Sequence, residues 1–430
     1  MGKYGNRFDQ DSNADNNPAP ALPAAADTDA GQELELDADN LEEISAMLSQ
    51  FGIDLDALNA DTEDDADDED DTEDDEGDAD ADSAPGWDAI NAACDVVYPD
   101  QPNPPQLATI VKWAAGGNDP LDGVSIYRAL EPVPHWHYVS YGMSDLYGAQ
   151  DGPDEYGESG WGFEFTFRLA DPAAATADPA SAPTWPVSMM QNLARYVFGT
   201  GNVFAAGHHM DLQGKIALEE ETDLRAIGFV VDPDLGTIDT PSGQVAFLQI
   251  LGLTLEDLTD TKTWRSAKFF ELLMERYPRG VTFLDRASLR SEPALAARID
   301  AGRAADGSGM GQTFVSELAG RRAADGVHEV EIGALIVREL PLALSSRLPF
   351  GNDFLLQGPE HAVLFQPGPQ WQVEQTTGQT TLTLTPTDQE ALLAHLQPVA
   401  GTYQWRDDFR IVVTVSKITN SAGDVVETVG

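Results

Sequence analysis

The amino-acid sequence predicts an α+β protein: two α+β domains with mixed sheets and packed helices, joined by a short hinge and preceded by an acidic arm. Three observations carry that expectation. A length of 430 residues suits two folded domains plus an extension. Composition changes abruptly at Gly86-Trp87, where an acid-rich stretch gives way to aromatic-rich sequence. From there on, segments of period two mix with segments of period 3.6, and no tandem repeat is visible.

Residues 1–84 read as a disordered acidic arm. Of 74 Asp and Glu, 29 precede Pro85, opposed there only by Lys3 and Arg7. The run 61–82 is nearly all Asp, Glu, Ala and Thr and buries too little apolar surface to offset the entropy of ordering. Inside the arm, Leu41, Ile44, Met47, Leu48 and Phe51 recur at helical spacing, with Asn40 placed to cap and Gly52 to stop. A short helix at 41–51 is expected, either a docking element or a transient one in a solubilising tail.

Residues 86–318 form the expected N-terminal domain. A helix at 87–97 ends at Tyr98-Pro99. Strands follow at 124–130 and 136–140. The segment 162–169 alternates strongly, with Phe163, Phe165, Phe167 and Leu169 on one face and Glu164, Thr166 and Arg168 on the other. After a Pro/Ala-rich loop at 171–183 comes a helix at 186–198. Strands at 226–231, 244–251 and 281–285 enclose helical segments at 255–258 and 266–277. A short helix and a Gly-rich stretch fill 294–318. Residues 319–326 read as the linker, and 327–430 as the C-terminal domain. There, strands are expected at 335–344, 350–356, 362–365, 371–374, 380–384 and 409–415. A helix at 388–396 is introduced by Pro386 and capped by Thr385 or Thr387.

The charge narrows the function. With 24 Lys and Arg against 74 Asp and Glu, a formal net charge of -50 repels nucleic-acid phosphates and anionic membranes and attracts a basic protein. Cys94 is the single cysteine and reads as core, so no intrachain disulfide and no cysteine zinc site can form. Without an apolar signal core at the N-terminus or a run of about 18 apolar residues, a soluble, cytoplasmic monomer is expected.

Candidate chemistry is sparse. His135 and His137 share one face of a strand, and His208-His209 supplies two more imidazoles, so a metal-dependent hydrolase with Asp211 or Asp145 as a further ligand is one alternative. The other reading packs these histidines inside the fold, since no H-E-x-x-H accompanies them. Asp145, Asp151, Asp154, Glu155, Glu158 and Glu164 form an acidic loop-and-strand region that reads as solvated loop or as carboxylate pair. Gly307–Gly311 is a turn or a weak phosphate loop. A further alternative makes residues 1–84 a nucleic-acid mimic. No catalytic residue and no cofactor is assigned. An aromatic, acid-rich surface beside a strong strand, without a nucleophile, suits recognition.

Longer strings point to a family. Tyr98-Pro-Asp-Gln-Pro-Asn-Pro, Ile110-Val-Lys, Gly117-Asn-Asp-Pro-Leu-Asp and His135-Trp-His-Tyr-Val-Ser-Tyr-Gly-Met-Ser-Asp-Leu-Tyr-Gly148 resemble the Suppressor of Fused family in its N-terminal domain. Gly162–Leu169, Pro183-Thr-Trp-Pro186, Leu193–Phe198 and Val245–Ile250 continue the resemblance in order. Arg298–Gly302 with Asp306–Ser308 resembles the end of that half. Gly333–Ile336, Gly368–Trp371 and Thr385–Leu396 resemble the C-terminal domain, so that residues 86 to about 416 are covered.

The resemblance implies a non-enzymatic adaptor whose animal members clamp a short Gli transcription-factor peptide between two domains as an added β-strand. It makes Tyr147 a clamp residue. Glu158 is the nearest acidic match to a clamp aspartate, in a loop that is shorter here. Trp161, Phe163, Thr282, Phe283 and Leu284 complete the implied partner site, flanked by the strands at 162–169 and 281–285. The long insertion of the animal proteins is replaced by residues 319–326. With its charge and Ala/Asp/Arg bias the chain looks bacterial, and bacterial members are implied to act as immunity proteins that neutralise toxin domains. A basic toxin domain or an extended peptide is therefore the expected partner.

Overall fold

The computed structural model describes residues 84–109, 113, 117, 119–147, 157–419 and 425–430. The expected arm and its helix at 41–51 lie outside the described residues, as do Asp151, Asp154 and Glu155.

Helix α1 (Pro85–Val97) opens the N-terminal domain and stops at Tyr98, where Pro99 follows. Eight strands form one sheet: β1 (Gln106–Ala108), β2 (Gly123–Ala129), β3 (His135–Tyr141), β4 (Glu158–Ala170), β5 (His209–Asp211), β6 (Leu224–Val231), β7 (Thr237–Thr240) and β8 (Gly243–Thr254). Their order is β1-β2-β3-β4-β8-β6-β5, with β7 also on β8. All pairs are antiparallel except β4 with β8. Helix α2 (Trp185–Thr200) starts with Pro186 in its first turn and ends on Gly201, whose φ of 70° is the left-handed conformation that glycine adopts without strain.

The sheet is covered on both faces. Phe163, Phe165, Phe167 and Leu169 meet Met190, Leu193 and Val197 of α2 in the largest apolar cluster. On the opposite face, Ile90 and Cys94 of α1 pack on Tyr127, Val139, Tyr141 and Phe247. Burial pushes the Cys94 thiol up to about 12, the behaviour of a core cysteine. Helices α3 (Leu255–Thr263) and α4 (Ser266–Arg276) cover Ala226, Leu251 and Leu253 further along that face. A Thr254–Asp257 capping box starts α3.

Helix α5 (Pro293–Asp306) leads to the C-terminal domain. Strands β9 (Gln312–Phe314), β12 (Phe354–Gln357), β13 (Ala362–Pro367), β14 (Gln372–Thr376) and β15 (Gln379–Leu384) make a sheet of order β14-β15-β13-β12-β9. Strands β10 (Leu318–Arg322), β11 (His328–Gly333), β16 (Gly401–Arg406) and β17 (Phe409–Thr414) make a second, of order β10-β11-β17-β16. Both sheets share one apolar core with helices α6 (Ala334–Ser345) and α7 (Pro386–His395). Strands β18 (Ser416–Thr419) and β19 (Val425–Val429) pair separately.

Three expectations are corrected. Residues 335–344 are helical: Ala334, Val337, Leu340 and Leu344 are buried at spacings of three and four, the period of a helix face. Residues 319–326 are strand β10 and the turn into β11, so the chain crosses between domains earlier, through Gly307–Gly311. Residues 281–285 form no strand; only Thr282 bridges Leu169, in parallel sense.

Candidate partner-binding surfaces

The polar face of β4 is buried as completely as its apolar face. Glu164 accepts hydrogen bonds from Ser140 Oγ (2.6 Å), Ser144 Oγ (2.6 Å), Ser144 N (2.9 Å) and Gly142 N (3.0 Å). Burial raises its pKa, although these donors oppose the shift. Thr166 Oγ1 donates to Asp232 (2.9 Å), and Arg168 Nη2 donates to both oxygens of Asp232 at 3.0 and 3.1 Å. The same guanidinium lies 2.9 Å from Asp234, which also holds Arg279 at 3.1 Å. Burial alone would raise the Asp232 carboxyl; contacts from His137 and Arg168 and the Leu235 amide hold it below the usual carboxylate range.

This network absorbs the first histidine pair. His137 Nδ1 is 2.8 Å from the Tyr98 hydroxyl and its Nε2 lies 3.1 Å from Asp232. His135 Nδ1 is 2.7 Å from the Val133 carbonyl oxygen and its Nε2 is 3.4 Å from Arg168. Burial drives both imidazoles toward the neutral form, His135 to about 4. His208 and His209 lie just before and at the start of β5, four strands away from β3, roughly 19 Å across the sheet. The hydrolase alternative therefore loses its geometry: the four rings do not converge. Among the described residues, no group of three or more His, Cys, Asp or Glu is arranged to hold a metal.

The seven residues implied to bind a partner fall in two places. Tyr147 is 48% exposed and donates to Asp122 Oδ2 at 2.5 Å. Glu158 and Trp161 sit close by, in the first turn-like stretch of β4, where Trp161 N donates to Met143 O (2.8 Å) and Gly160 N to Asp145 Oδ2 (3.0 Å). Phe163 points into the core. Thr282, Phe283 and Leu284 lie at the other end of β4, roughly 30 Å along the strand. There Ala170 N donates to Thr282 O and Thr282 N to Arg168 O, both within 2.9 Å. Strand β4 is thus an interior strand, paired with β3 along Thr166–Ala170 and with β8 along Phe163–Phe167, and along Thr166–Phe167 both of its sides are occupied.

An open edge exists where the domains join. Ser308 N donates to Ser346 O (2.7 Å), its Oγ donates to Lys262 O (2.6 Å), and Arg347 donates to its carbonyl (2.8 Å). These bonds tie the crossing segment to α3 and to the end of α6. Immediately after it, β9 lies at the margin of its sheet and pairs only with β12 among the described residues. Leu355 N donates to Gly311 O and Val315 N to Gln357 O. Backbone groups of a strand alternate in direction, so those of Gln312 and Phe314 point away from β12. Phe314 is 50% exposed. Sequence reasoning passed over β9 because three residues between Gly311 and Val315 carry no period; a Phe beside a Gly-rich crossing was the available signal.

The architecture is that of a two-domain α+β protein whose N-terminal half is one large mixed sheet covered on both faces. The crystal structure of Drosophila Suppressor of Fused superposes with a TM-score of 0.65 at 23% identity, covering 77% of this chain and 97% of that chain, a likeness of fold. A family model described as Suppressor of fused protein (SUFU) matches residues 117–287. The Suppressor of fused homologs of Homo sapiens and Mus musculus are each 40% identical over 244 residues, which cover 52% of this chain and 48% of either relative. The chain thus spans about half the length of the curated relatives it matches. Residues 117–287 carry the Suppressor of fused domain, and the chain is similar in sequence and fold to Suppressor of Fused proteins.

Proposed function

We propose that the chain is a non-enzymatic, protein-binding adaptor that takes up an extended segment of its partner as an added strand on β9. One observation carries this reading: the outward backbone groups of Gln312 and Phe314 form an open edge at the domain crossing, beside a half-exposed aromatic ring. Main-chain pairing supplies affinity there, and the Phe314 ring supplies an anchor of the kind that carries binding energy. Tyr147 and Trp161 are a second contact region on the N-terminal domain. A net charge of -50 favours a basic partner and speeds its encounter. Together with the bacterial look of the composition, this supports a toxin domain neutralised in the cytoplasm by a monomeric immunity protein.

The test begins with the full chain immobilised and exposed to extract of its source cell, followed by calorimetry with the captured protein. A stoichiometric protein ligand is expected. Gln312→Pro and Phe314→Pro each remove one outward N–H while leaving the bonds to β12, and each should weaken binding at least about tenfold with the thermal melt unchanged. Equal affinity in both proline variants, or no stoichiometric protein at all, would overturn the reading.

A further inference from the structure

The N-terminal domain carries a second surface, remote in sequence from β9, built from Leu107, Trp113, Phe198 and Trp161. Leu107 lies on β1, the open margin of the large sheet, and is 41% exposed. Trp113 is 45% exposed and packs edge-on against Phe198 at the end of α2, with ring centroids 5.3 Å apart. Trp161 meets the same phenyl ring from another side at 5.4 Å. Trp113 and Trp161 meeting on Phe198, with Leu107 on a strand that pairs only with β2 among the described residues, give this acidic protein apolar surface.

The position of the N-terminal arm says what covers it. The arm joins the body at α1, where Gly86 N donates to Leu146 O at 3.0 Å and Trp87 N approaches the same oxygen at 3.4 Å. Gly86 is packed so closely on Asp145 that a Cβ there would lie 2.2 Å from its carbonyl oxygen. The chain therefore leaves the body one residue from Tyr147, whose hydroxyl binds Asp122; the Asp122 carbonyl in turn accepts from Thr109 N at the end of β1 (3.1 Å). Upstream, Leu41, Ile44, Met47, Leu48 and Phe51 recur at helical spacing, and Ile53, Leu55 and Leu58 extend that apolar stretch up to the acid-rich run 61–82. Residues 52–84 separate residues 41–51 from the body by 33 positions that include no Lys or Arg.

We propose that this apolar segment, residues 41–51, docks in cis on the Leu107–Trp113–Phe198–Trp161 patch. A tether of that length has a root-mean-square span of roughly 30 Å and holds its end at an effective concentration on the order of 1 mM. A contact with a dissociation constant of only about 0.1 mM would then be about nine-tenths closed. The acid-rich run 61–82 cannot itself settle on the acidic body, so the apolar stretch ahead of it is the part that returns. A partner that uses Tyr147 and Trp161 must displace it, which makes the arm a built-in competitor at that surface.

The experiment places a photo-crosslinking p-benzoylphenylalanine at position 48 of the full chain and maps the products by mass spectrometry. Crosslinks within one molecule to peptides containing Leu107, Trp113, Trp161 or Phe198 are expected, and Trp113→Ala should cut their yield several-fold. Intermolecular products that scale with concentration would assign the segment to a second copy, and products on the C-terminal domain would assign it elsewhere; either overturns the proposal. As a second measurement, the double variant Leu48→Asp/Phe51→Asp should speed amide exchange in β1 and the last turn of α2 about tenfold. Unchanged exchange there also overturns it. Neither readout involves β9 or an external partner, so failure here is distinct from failure of the adaptor reading.

Discussion

In the N-terminal domain, the sheet buries Arg168, His137, Asp232 and Glu164 at its centre, and Arg168 and Asp232 have no exposed side-chain surface. In the C-terminal domain the buried carboxylates Glu329 and Asp388 each meet arginines that are 19–58% exposed, and other pairs lie at the rim: Arg338 with Glu427 and Arg321 with Glu331 have members 38–58% exposed. Exposed pairs of that kind contribute about 0–1 kcal/mol each. Buried ones are costly to desolvate and more costly to break, so they tie their elements into one arrangement. The Arg168 network touches β3, β4, β8 through Gln249, the Asp232–Asp234 turn, and the loop at Arg279–Gly280, whose carbonyls accept from Gln249 Nε2 at 2.8 and 3.0 Å. The lesson is a division of labour: the first domain is cross-braced by fully buried charges at its central strands, and the second relies more on apolar packing, while each leaves a three-residue strand at a sheet margin, β1 in the first and β9 in the second.

That contrast can be broken most forcefully at Asp232. Asp232→Ala leaves Arg168 buried beside a weakened set of partners, and urea unfolding should show a loss of about 3–5 kcal/mol. Arg338→Ala, removing an exposed pair in the second domain, should stay within about 1 kcal/mol by the same measurement. Similar losses for both would erase the distinction.

Acid should act on the first domain more strongly than on the second, where burial also lowers His361. His135 titrates near 4 and His209 near 3 in the folded state, both held down by burial, against about 6.5 when unfolded. Between those values the unfolded chain binds the extra protons, so stability falls as pH drops from about 6.5 toward 4, by an amount on the order of a few kcal/mol. Asp232, held low, adds its loss only below the ordinary carboxylate range, whereas Glu164, raised by burial, works in the opposite sense. Thermal melts at stepped pH, read separately at tryptophans of the two domains, check this. A flat profile between pH 6.5 and 4 contradicts it.

The smallest effect on folding belongs to Tyr147→Ala, which should change stability by less than about 0.5 kcal/mol because the ring is half exposed. Binding of a partner that uses the N-terminal surface should nevertheless weaken, as measured by calorimetry; unchanged affinity removes Tyr147 from the site.

The same division explains what could be read from the sequence. Alternation of Phe163, Phe165, Phe167 and Leu169 marked β4, and Thr385-Pro386 marked the start of α7, because in both cases the local pattern agrees with the tertiary environment. Glu164, Thr166 and Arg168 were read as an opposing polar face, yet they are buried; nothing local announces that Asp232, sixty-odd residues on, supplies the counter-charge. Pro341 and a run of apolar residues made α6 look like a strand, although the burial period there is helical. Strands β10 and β11 were missed because Arg321, Arg322, Glu329 and Glu331 give a paired hairpin the composition of a linker. At the candidate sites, Tyr147 and Trp161 were named through a resemblance and Tyr147 lies half exposed, while β9 depends on which side of a three-residue strand is left without a neighbour.

The turn that closes β10 onto β11 bears on how such a protein can grow. Ala323 N donates to Val327 O and Gly326 N to Ala323 O, while a side chain built on Gly326 would meet no atom within 4 Å. Extra sequence spliced between those two bonds would loop into solvent, leaving the ladder below it and the shared core untouched. Length at that tip is consequently a free variable: lineages can lengthen it, decorate it or dispense with it while the scaffold stays the same.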